Sequence, residues 1–271
     1  MNSRLEHLLS HTAELALACW PRATPDAERL AATRIVAHRG ERDGVDILEN
    51  TFAAFDPVVK AGVAGIEFDI RYTRDDEPVV VHDADLKRVF GLPDVVADTP
   101  WKTLRRRAPR LPHLDEVIER YAARSHLMAE LKTRGSVRAE QRVAERLSAL
   151  VPARDFHVLS LDTALFEGVR ALPAACYLPV AKLNWRRLYR WALEHDCAGL
   201  AGPHLLMDRQ HIHALQAARP FVATGFVNRP RLLMREITRG VEWIFTNQPL
   251  RLQHALDAAR TDSRTSLKNQ R

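Results

Sequence analysis

The sequence predicts an α/β protein, a (β/α)8 TIM barrel with a short insertion after the second strand-hairpin element. Its 271 residues suit one barrel, because such barrels of roughly 250 residues often fold as a single unit. Short β-rich runs alternate with helical patterns, which implies parallel strands covered by helices. The runs count to eight when "GIEFDIRYT" and "PVVVHD" are taken as one extended element joined by the polar turn "TRDDEP".

Each predicted strand is a short run rich in β-branched or aromatic residues, and each predicted helix spaces its apolar residues at three or four positions. The strands, in order, are "RIVAH", "GIEFDIRYT", "PVVVHD", "HLMAELK", "FHVLSL", "AACYLPV", "CAGLAG", "PFVATGFV" and "EWIFTN". Helical patterns such as "HLDEVIERYAAR", "VRAEQRVAERLSAL" and "DTALFEGVRAL" lie between them. An open doubly wound sheet is the alternative, but it usually carries a GxGxxG or GxxxxGK[ST] phosphate loop, and this sequence has neither.

The predicted domain organisation is a helical extension, the barrel and a polar tail, with bounds 1–33, 34–258 and 259–271. The extension contains Glu6, His7, His11 and Glu14, so it lacks the continuous apolar core of a signal peptide and reads as an amphipathic helix. The three cysteines lie far apart without a CxxC pair. We therefore expect no disulfide framework and no zinc site, and a reducing cytoplasm is the default location.

The chain is basic, with a formal net charge of +6, and its densest basic patch is "KTLRRRAPR" at positions 102–110. Such a patch indicates either a solvated face or contact with an anionic membrane surface. A nucleic-acid partner is not expected, because the basic residues are not interleaved with stacking aromatic residues. The sequence leaves the oligomeric state open.

Polar residues stand at the predicted carboxyl ends of the strands, where barrels of this class carry their chemistry. His38 and Arg39 end the first strand, and His82 ends "VVVHD". Glu67 and Asp69 are two positions apart in the second strand, so they share one face. A lone histidine is usually structural, but His38 and His82 both end apolar strands that converge on one mouth. We therefore predict that both are functional.

Carboxylates at these strand ends raise the question of what balances their charge. Glu67 and Asp69 repel each other in a buried strand, so one would hold its proton unless a cation is present. Glu130 and Lys132 end the next barrel strand, and Glu130 offers a further oxygen ligand for a hard divalent ion. The alternative is a salt-bridge cluster in which Arg39 or Lys132 neutralises the carboxylates.

Several segments, taken in order, resemble the glycerophosphodiester phosphodiesterase family. They are "HRG", "ENT..AF", "AG..GIEFDI..T.D..PVV.HD..L.R", "LP.LDEV" and "AELK", followed near the end by "GVEWIFTNQP". The resemblance is strong from residue 34 to residue 132 and weaker afterwards. It implies a TIM barrel that cleaves phosphodiesters of glycerol with the help of a divalent cation.

The resemblance also implies roles for individual residues. The catalytic pair of the family matches His38 and His82, and its phosphate-holding groups match Arg39 and Lys132. Its metal ligands match four carboxylates: Glu49, Glu67, Asp69 and Glu130. Asn50 either accompanies Glu49 at the site or caps the helix that follows. Ligands of this kind, all oxygen, favour magnesium, calcium or manganese over zinc.

The expected reaction is hydrolysis of a small-molecule glycerophosphodiester to an alcohol and sn-glycerol 3-phosphate, with histidines as general acid and base. Lysophospholipase D-type cleavage of lysophospholipids is one alternative, and a non-catalytic phosphate-ligand-binding barrel is another. The sequence also departs from the family pattern. "GFVN" at 225–228 replaces a tryptophan-containing segment, Thr246 and Asn247 replace a Thr-Asp pair, and the insertion before "LP.L" is compact.

Overall fold

Nine β-strands form one sheet in the computed structural model, which describes residues 24–207, 209–218 and 221–269. The strands are β1 (Arg34–His38), β2 (Gly65–Tyr72), β3 (Pro78–Val80), β4 (His126–Leu131), β5 (Phe156–Ser160), β6 (Tyr177–Pro179), β7 (Gly199–Pro203), β8 (Phe221–Gly225) and β9 (Trp243–Thr246). Their order is β6-β5-β4-β2-β1-β9-β8-β7, with every neighbouring pair parallel. Strand β3 pairs antiparallel with β2, as the predicted hairpin element requires.

The two ends of this sheet meet and nearly close it into a barrel. The Ala181 backbone N–H, just beyond β6, donates to the carbonyl of Ala201 on β7 at 2.7 Å. The Ala198 N–H donates in turn to the carbonyl of Tyr177 at 3.0 Å. Eight parallel strands with surrounding helices therefore form the barrel, which confirms the predicted (β/α)8 fold.

The α-helices of the described residues pack outside the strands. They are α1 (Ala27–Ala32), α2 (Phe52–Lys60), α3 (Lys87–Phe90), α4 (Trp101–Arg107), α5 (Leu114–Tyr121), α6 (Val137–Ser148), α7 (Trp185–Glu194), α8 (Arg209–Ala218), α9 (Pro230–Thr238) and α10 (Pro249–Asn269). Local capping fixes several starts. The Ser136 side chain accepts from the Ala139 N–H, and His113 with Glu116 forms a capping box on α5.

One predicted helix differs from the structure. The segment "DTALFEGVRAL" forms a 3-10 helix at Thr163–Val169, and no α-helix lies within residues 161–176. Gly168 and Pro173 both disfavour a longer α-helix here, since glycine has low helix propensity and proline lacks an N–H donor. Asp162 caps the short helix by accepting from the Ala164 N–H at 3.0 Å.

The insertion between β3 and α5 has a small apolar core of its own. It contains Val79, Val81, Leu86, Val96, Leu104, Ala108 and Leu111. The basic patch at 102–110 lies on this insertion. Arg105 pairs with Glu116 at 2.6 Å and Arg107 pairs with Asp94 at 2.7 Å, so internal ion pairs neutralise part of its charge. Contact of this patch with a membrane stays a prediction.

Alternation along the strands decides which side chains face the barrel interior. In β2, Ile66, Phe68 and Ile70 belong to the apolar layer between strands and helices, so the intervening residues Glu67 and Asp69 point the other way. The interior layer below them is apolar and includes Val36, Met128, Leu159, Leu178, Ala223 and Phe245. The barrel therefore has an apolar floor and a charged upper end.

The predicted division into extension, barrel and tail stays a prediction. Residues 1–23 of the extension lie outside the described residues. Residues 27–32 form α1, which packs against α10. Helix α10 runs to Asn269 and so continues past the boundary predicted at residue 258.

The turn after β1 carries the chain sharply away from the strand. Arg39 and Gly40 both have positive φ angles, of 58° and 81°. A Cβ added to Gly40 would lie 2.7 Å from the backbone carbon and oxygen of Ala54 in α2. The Glu41 N–H donates to that same carbonyl at 2.9 Å, so the close approach is held by a hydrogen bond.

We predict that Gly40→Ala lowers the free energy of unfolding by about 2–5 kcal/mol, because it adds both a left-handed strain and a backbone clash. Urea denaturation measures this. Gly62→Ala is the matched control: its φ is 75°, but nothing lies within 4 Å of the added Cβ, so only about 1–2 kcal/mol is expected. Equal losses in the two variants would show that the contact with Ala54 is unimportant.

Candidate active site

Sheet register places the charged residues side by side at the carboxyl end of the barrel. His38 on β1 is in register with Glu67 on β2. Asp69 on β2 is in register with Glu130 on β4. Because neighbouring strands lie only about 4.8 Å apart, these pairs are forced into contact distance.

Three buried carboxylates form one cluster. Glu67, Asp69 and Glu130 each contribute an oxygen, and these oxygens all lie within 4.8 Å of one another. The Glu67 Oε1 and the Asp69 Oδ1 are buried without a hydrogen-bond partner in the structure. Burial and the two neighbouring carboxylates raise the pKa of Glu67 well above its usual value of 4.5. Such a donor set fits a hard divalent cation, which would satisfy both oxygens and allow Glu67 to ionise.

Two basic side chains lie against the same cluster. The Arg39 Nε lies 2.9 Å from the Asp69 Oδ2, and the Lys132 Nζ lies 2.8 Å from the Glu130 Oε1 and 3.5 Å from the Asp69 Oδ1. The ion pairs that the salt-bridge alternative predicts, from Arg39 and Lys132 to the carboxylates, are therefore present. They do not reach the Oε1 of Glu67, so ion pairs and a cation site are compatible here.

Glu49 lies outside the acidic cluster and contacts arginines instead. Its Oε1 lies 3.1 Å from the Arg39 Nη1 and 2.6 Å from the Arg88 Nη2. Its Oε2 lies 3.5 Å from the Arg42 Nε. Burial opposes ionisation of Glu49, but the three guanidinium groups outweigh burial and lower its pKa to about 2. Here Glu49 orients the arginines, and its role as a metal ligand stays a prediction.

Asn50 joins the acidic cluster rather than the helix cap. Its Nδ2 donates to the Asp69 Oδ2 at 2.7 Å, and its φ of 57° turns the side chain toward β2. The N-cap of α2 is Thr51. Of the two interpretations of Asn50 from the sequence, the N-cap is therefore wrong.

His38 is buried and held from two sides. Its Nδ1 lies 2.7 Å from the Asn247 Oδ1, which also accepts from the Arg42 Nη2 at 2.7 Å. Because that oxygen acts as an acceptor, Nδ1 carries the proton and Nε2 is free to accept one. Nε2 lies 3.8 Å from the Glu67 Oε2, and the ring centroid lies 4.1 Å from that of Phe226. Burial lowers the pKa of His38 to about 3, so the ring is neutral at pH 7.

His82 is half-buried and has a carboxylate partner. Its Nδ1 lies 2.7 Å from the Asp83 Oδ1, while the Asp83 Oδ2 lies 2.6 Å from the Arg88 Nε. Burial opposes ionisation of Asp83, but the hydrogen bonds from Arg88 and His82 lower its pKa to about 2. The Arg71 Nε fixes the strand end by donating to the carbonyl of His82 at 2.7 Å. An ionised partner on Nδ1 leaves Nε2 of His82 available to a substrate.

A cavity of about 380 Å³ opens at this end of the barrel, and its two walls differ. One wall is polar and is formed by His38, Arg39, Glu67, His82, Glu130 and Lys132. The facing wall is mainly apolar, with Leu159, Leu161, Val180, Pro203, Phe226 and Phe245, and Lys182 also lines the cavity there. The cavity can therefore hold an anionic group on one side and an apolar group on the other.

Four residues that lie in the site have no role predicted from the sequence. They are Arg42, Asp83, Arg88 and Asn247. Arg88 joins the two halves of the site, since it contacts both Glu49 and Asp83. Its signal was present, because "HD..L.R" contains both Asp83 and Arg88. Arg42 had no such signal, since only the fold of the loop after β1 brings it to Asn247 and Glu49.

The similarity of this chain to known proteins places it in a family. Residues 38–163 match the model of the Glycerophosphoryl diester phosphodiesterase family. YhdW of Bacillus subtilis has the provisional name glycerophosphodiester phosphodiesterase. It is 34% identical to this chain over 231 residues, which cover 79% of this chain and 94% of YhdW. The chain belongs to this family. Its members are phosphoric diester hydrolases, as the predicted resemblance implied.

Further relatives match this chain over most of its length. A glycerophosphodiester phosphodiesterase of Bacillus altitudinis is 27% identical over 241 residues, covering 80% of this chain and 95% of the relative. The phosphodiesterase OLEI02445 of Oleispira antarctica, solved in complex with the product sn-glycerol-3-phosphate, has the same fold. Its TM-score is 0.71 at 23% identity, with 83% of this chain and 96% of that chain covered. Among the helices of the described residues, none is long and apolar enough to cross a membrane.

The raised pKa of Glu67 leads to a prediction about stability in chelator. A group whose folded pKa is raised stabilises below its unfolded pKa, here 4.5, and that stability is lost as the pH rises through the folded pKa. Glu67→Gln removes this titration. We predict that at pH 8 in chelator the variant is more stable than the parent by about 1–3 kcal/mol.

Urea denaturation at pH 5 and pH 8, with and without 5 mM calcium, measures this difference. Calcium should stabilise the parent at pH 8 and have no effect on Glu67→Gln. A variant that is less stable than the parent in chelator at pH 8 would contradict the raised pKa.

Proposed function

We propose that this chain hydrolyses glycerophosphodiesters to an alcohol and sn-glycerol 3-phosphate, with a divalent cation and two histidines. One observation carries the proposal. The buried cluster of Glu67, Asp69 and Glu130 has two oxygens that accept no hydrogen bond, and Glu67 and Glu130 line the same cavity as His38 and His82. Membership of the family and the product bound to the Oleispira antarctica relative support the same substrate class.

The residues that would hold the cation are Glu67, Asp69 and Glu130, and their all-oxygen set favours magnesium, calcium or manganese. When bound, such an ion supplies positive charge that offsets the negative charge of the phosphodiester and of its transition state. Glu49 would act through the arginines it contacts, since its carboxylate already has three guanidinium partners.

Arg39 and Lys132 would bind the phosphate. The Nε and Nη1 of Arg39 face Asp69 and Glu49, which leaves Nη2 to donate to a phosphate oxygen. Lys132 lines the cavity beside Glu130 and offers a compact positive charge. Arg39 and Lys132 also contact the acidic cluster. The phosphate and the divalent cation would therefore be bound by one connected set of charged side chains.

The two histidines would divide the proton transfers. His38 is neutral at pH 7, and its Nε2 can take the proton of the attacking hydroxyl group. Attack by water gives sn-glycerol 3-phosphate directly, whereas attack by a hydroxyl of the substrate glycerol gives a cyclic phosphate that water then opens to sn-glycerol 3-phosphate. His82 would donate a proton to the leaving alcohol oxygen. The ionised Asp83, 2.7 Å from Nδ1, fixes the orientation of the His82 ring for that step.

We predict that His38→Ala and His82→Ala each lower kcat by roughly 10²–10⁴-fold, because each removes one proton transfer. The assay is release of sn-glycerol 3-phosphate from glycerophosphocholine in the presence of calcium or magnesium, with circular dichroism to confirm folding. His254→Ala is the control, since that side chain is exposed on α10. A kcat within threefold of the parent would remove that histidine from the mechanism.

A lysophospholipid substrate is the second candidate, and the apolar wall of the cavity favours it. We predict that Leu161→Ser lowers kcat/KM for a short-chain lysophosphatidylcholine below its critical micelle concentration by about tenfold, because it removes apolar contact. The same variant should keep glycerophosphocholine hydrolysis within twofold. Absence of any activity on the lysophospholipid in the parent would exclude this candidate while leaving the first intact.

A further inference from the structure

Exposed apolar side chains cluster around the mouth of the cavity. Every exposed leucine and phenylalanine among the described side chains follows one of the strands β5, β6, β7 and β8. They are Leu161, Leu183, Leu205, Leu206 and Phe226. Leu183 is 80% exposed and Phe226 is 42% exposed. We call these five residues the apolar rim.

The apolar rim continues into the cavity. Leu161 and Phe226 belong both to the rim and to the apolar wall, and Pro203 at the end of β7 belongs to that wall. Exposed leucines beside a cavity entrance are unfavourable in water, and exposed apolar side chains gathered at one end of a protein indicate a site of contact with a partner or a membrane.

The charged residues near the rim indicate which kind of surface it contacts. Segments 161–163, 180–187, 203–207 and 225–231 carry the rim, and they contain five basic residues and a single acidic one, Asp162. The basic residues are Lys182, Arg186, Arg187, Arg229 and Arg231. Apolar side chains surrounded by cationic ones suit an anionic phospholipid surface, where the apolar groups enter the interface and the cations meet the head groups.

We propose that the apolar rim docks this protein on an anionic lipid surface, with the mouth of the cavity facing the lipid. Docking in this orientation places the charged wall of the cavity next to lipid-derived phosphodiesters. The basic patch at 102–110 is a weaker candidate for this contact, because none of the exposed large apolar side chains of the described residues lies in it. Docking does not depend on the proposed reaction, since binding can be measured without turnover.

The first described residues do not cover the rim. They precede α1, which packs at the other end of the barrel, where the Arg29 Nη1 donates to the carbonyl of Thr238 at the end of α9. Thr238 lies just before β9, and therefore at the amino-terminal ends of the strands. The rim lies at their carboxyl ends, so α1 and the rim are on opposite faces.

Co-sedimentation of the full chain with phospholipid vesicles tests this proposal. The probes are vesicles of phosphatidylcholine alone and of phosphatidylcholine with phosphatidylglycerol at 3:1. We expect binding to the anionic vesicles, at least fivefold weaker binding to the neutral ones, and loss of binding in 0.5 M salt. The variant Leu183→Ser/Leu205→Ser/Leu206→Ser should bind at least tenfold more weakly, and Lys182→Gln/Arg187→Gln several-fold more weakly.

Val151→Ser is the matched control, because Val151 is 44% exposed in the loop before β5, at the end of the barrel opposite the mouth. It should bind vesicles like the parent. Hydrolysis of water-soluble glycerophosphocholine should stay within twofold in the triple serine variant, which separates docking from the reaction. Equal vesicle binding by the parent and this variant would overturn the proposal. Absence of vesicle binding by the parent would also overturn it. A parent dimer in lipid-free light scattering that the triple serine variant abolishes would do the same, since the rim would then bind a second copy.

Discussion

The repulsion among three buried carboxylates is the constraint on which the rest of the site depends. Glu67, Asp69 and Glu130 are brought together by strand register, and water cannot screen them in the interior. Arg39 and Lys132 offset part of this charge, but the Glu67 Oε1 and the Asp69 Oδ1 stay without hydrogen bonds. A cation at these oxygens relieves the repulsion, and it also brings positive charge to the place where an anionic substrate must bind. The repulsion among these carboxylates therefore affects both the stability of the fold and the binding of an anionic substrate.

The residues around the acidic cluster form a network of ion pairs. Glu49 contacts Arg39, Arg42 and Arg88 on one side of the mouth, and Arg88 also contacts Asp83, which orients His82. Arg42 also reaches Asn247, which orients His38. The two histidines are therefore linked through one network of arginines. The opposite half of the barrel, from β5 to β9, contributes mainly apolar side chains to the cavity, so a charged half faces a mainly apolar half.

Much of this arrangement could be predicted from the sequence, because it depends on local periodicity. Charged residues two positions apart in an apolar strand, as in "IEFDI", must face the interior together, and barrel strands end at one mouth. The network of Glu49 could not be predicted, since Arg42 returns through a loop whose path depends on the left-handed turn at Arg39 and Gly40. The short 3-10 helix after β5 was also missed, because apolar spacing alone does not reveal the effect of Gly168 and Pro173. The apolar rim has no sequence signature, as its four leucines and Phe226 lie in four separate loops.

The most direct test of a cation at the acidic cluster is a titration of chelator-treated protein with calcium or magnesium. Calorimetry would follow binding while release of sn-glycerol 3-phosphate from glycerophosphocholine is followed in parallel. We predict one tight site per chain, no detectable release without the cation, and the same half-saturating concentration for binding and activity. Asp69→Asn should lose both. Full release in chelator, or cation binding by Asp69→Asn at the affinity of the parent, would contradict a cation held by Glu67, Asp69 and Glu130.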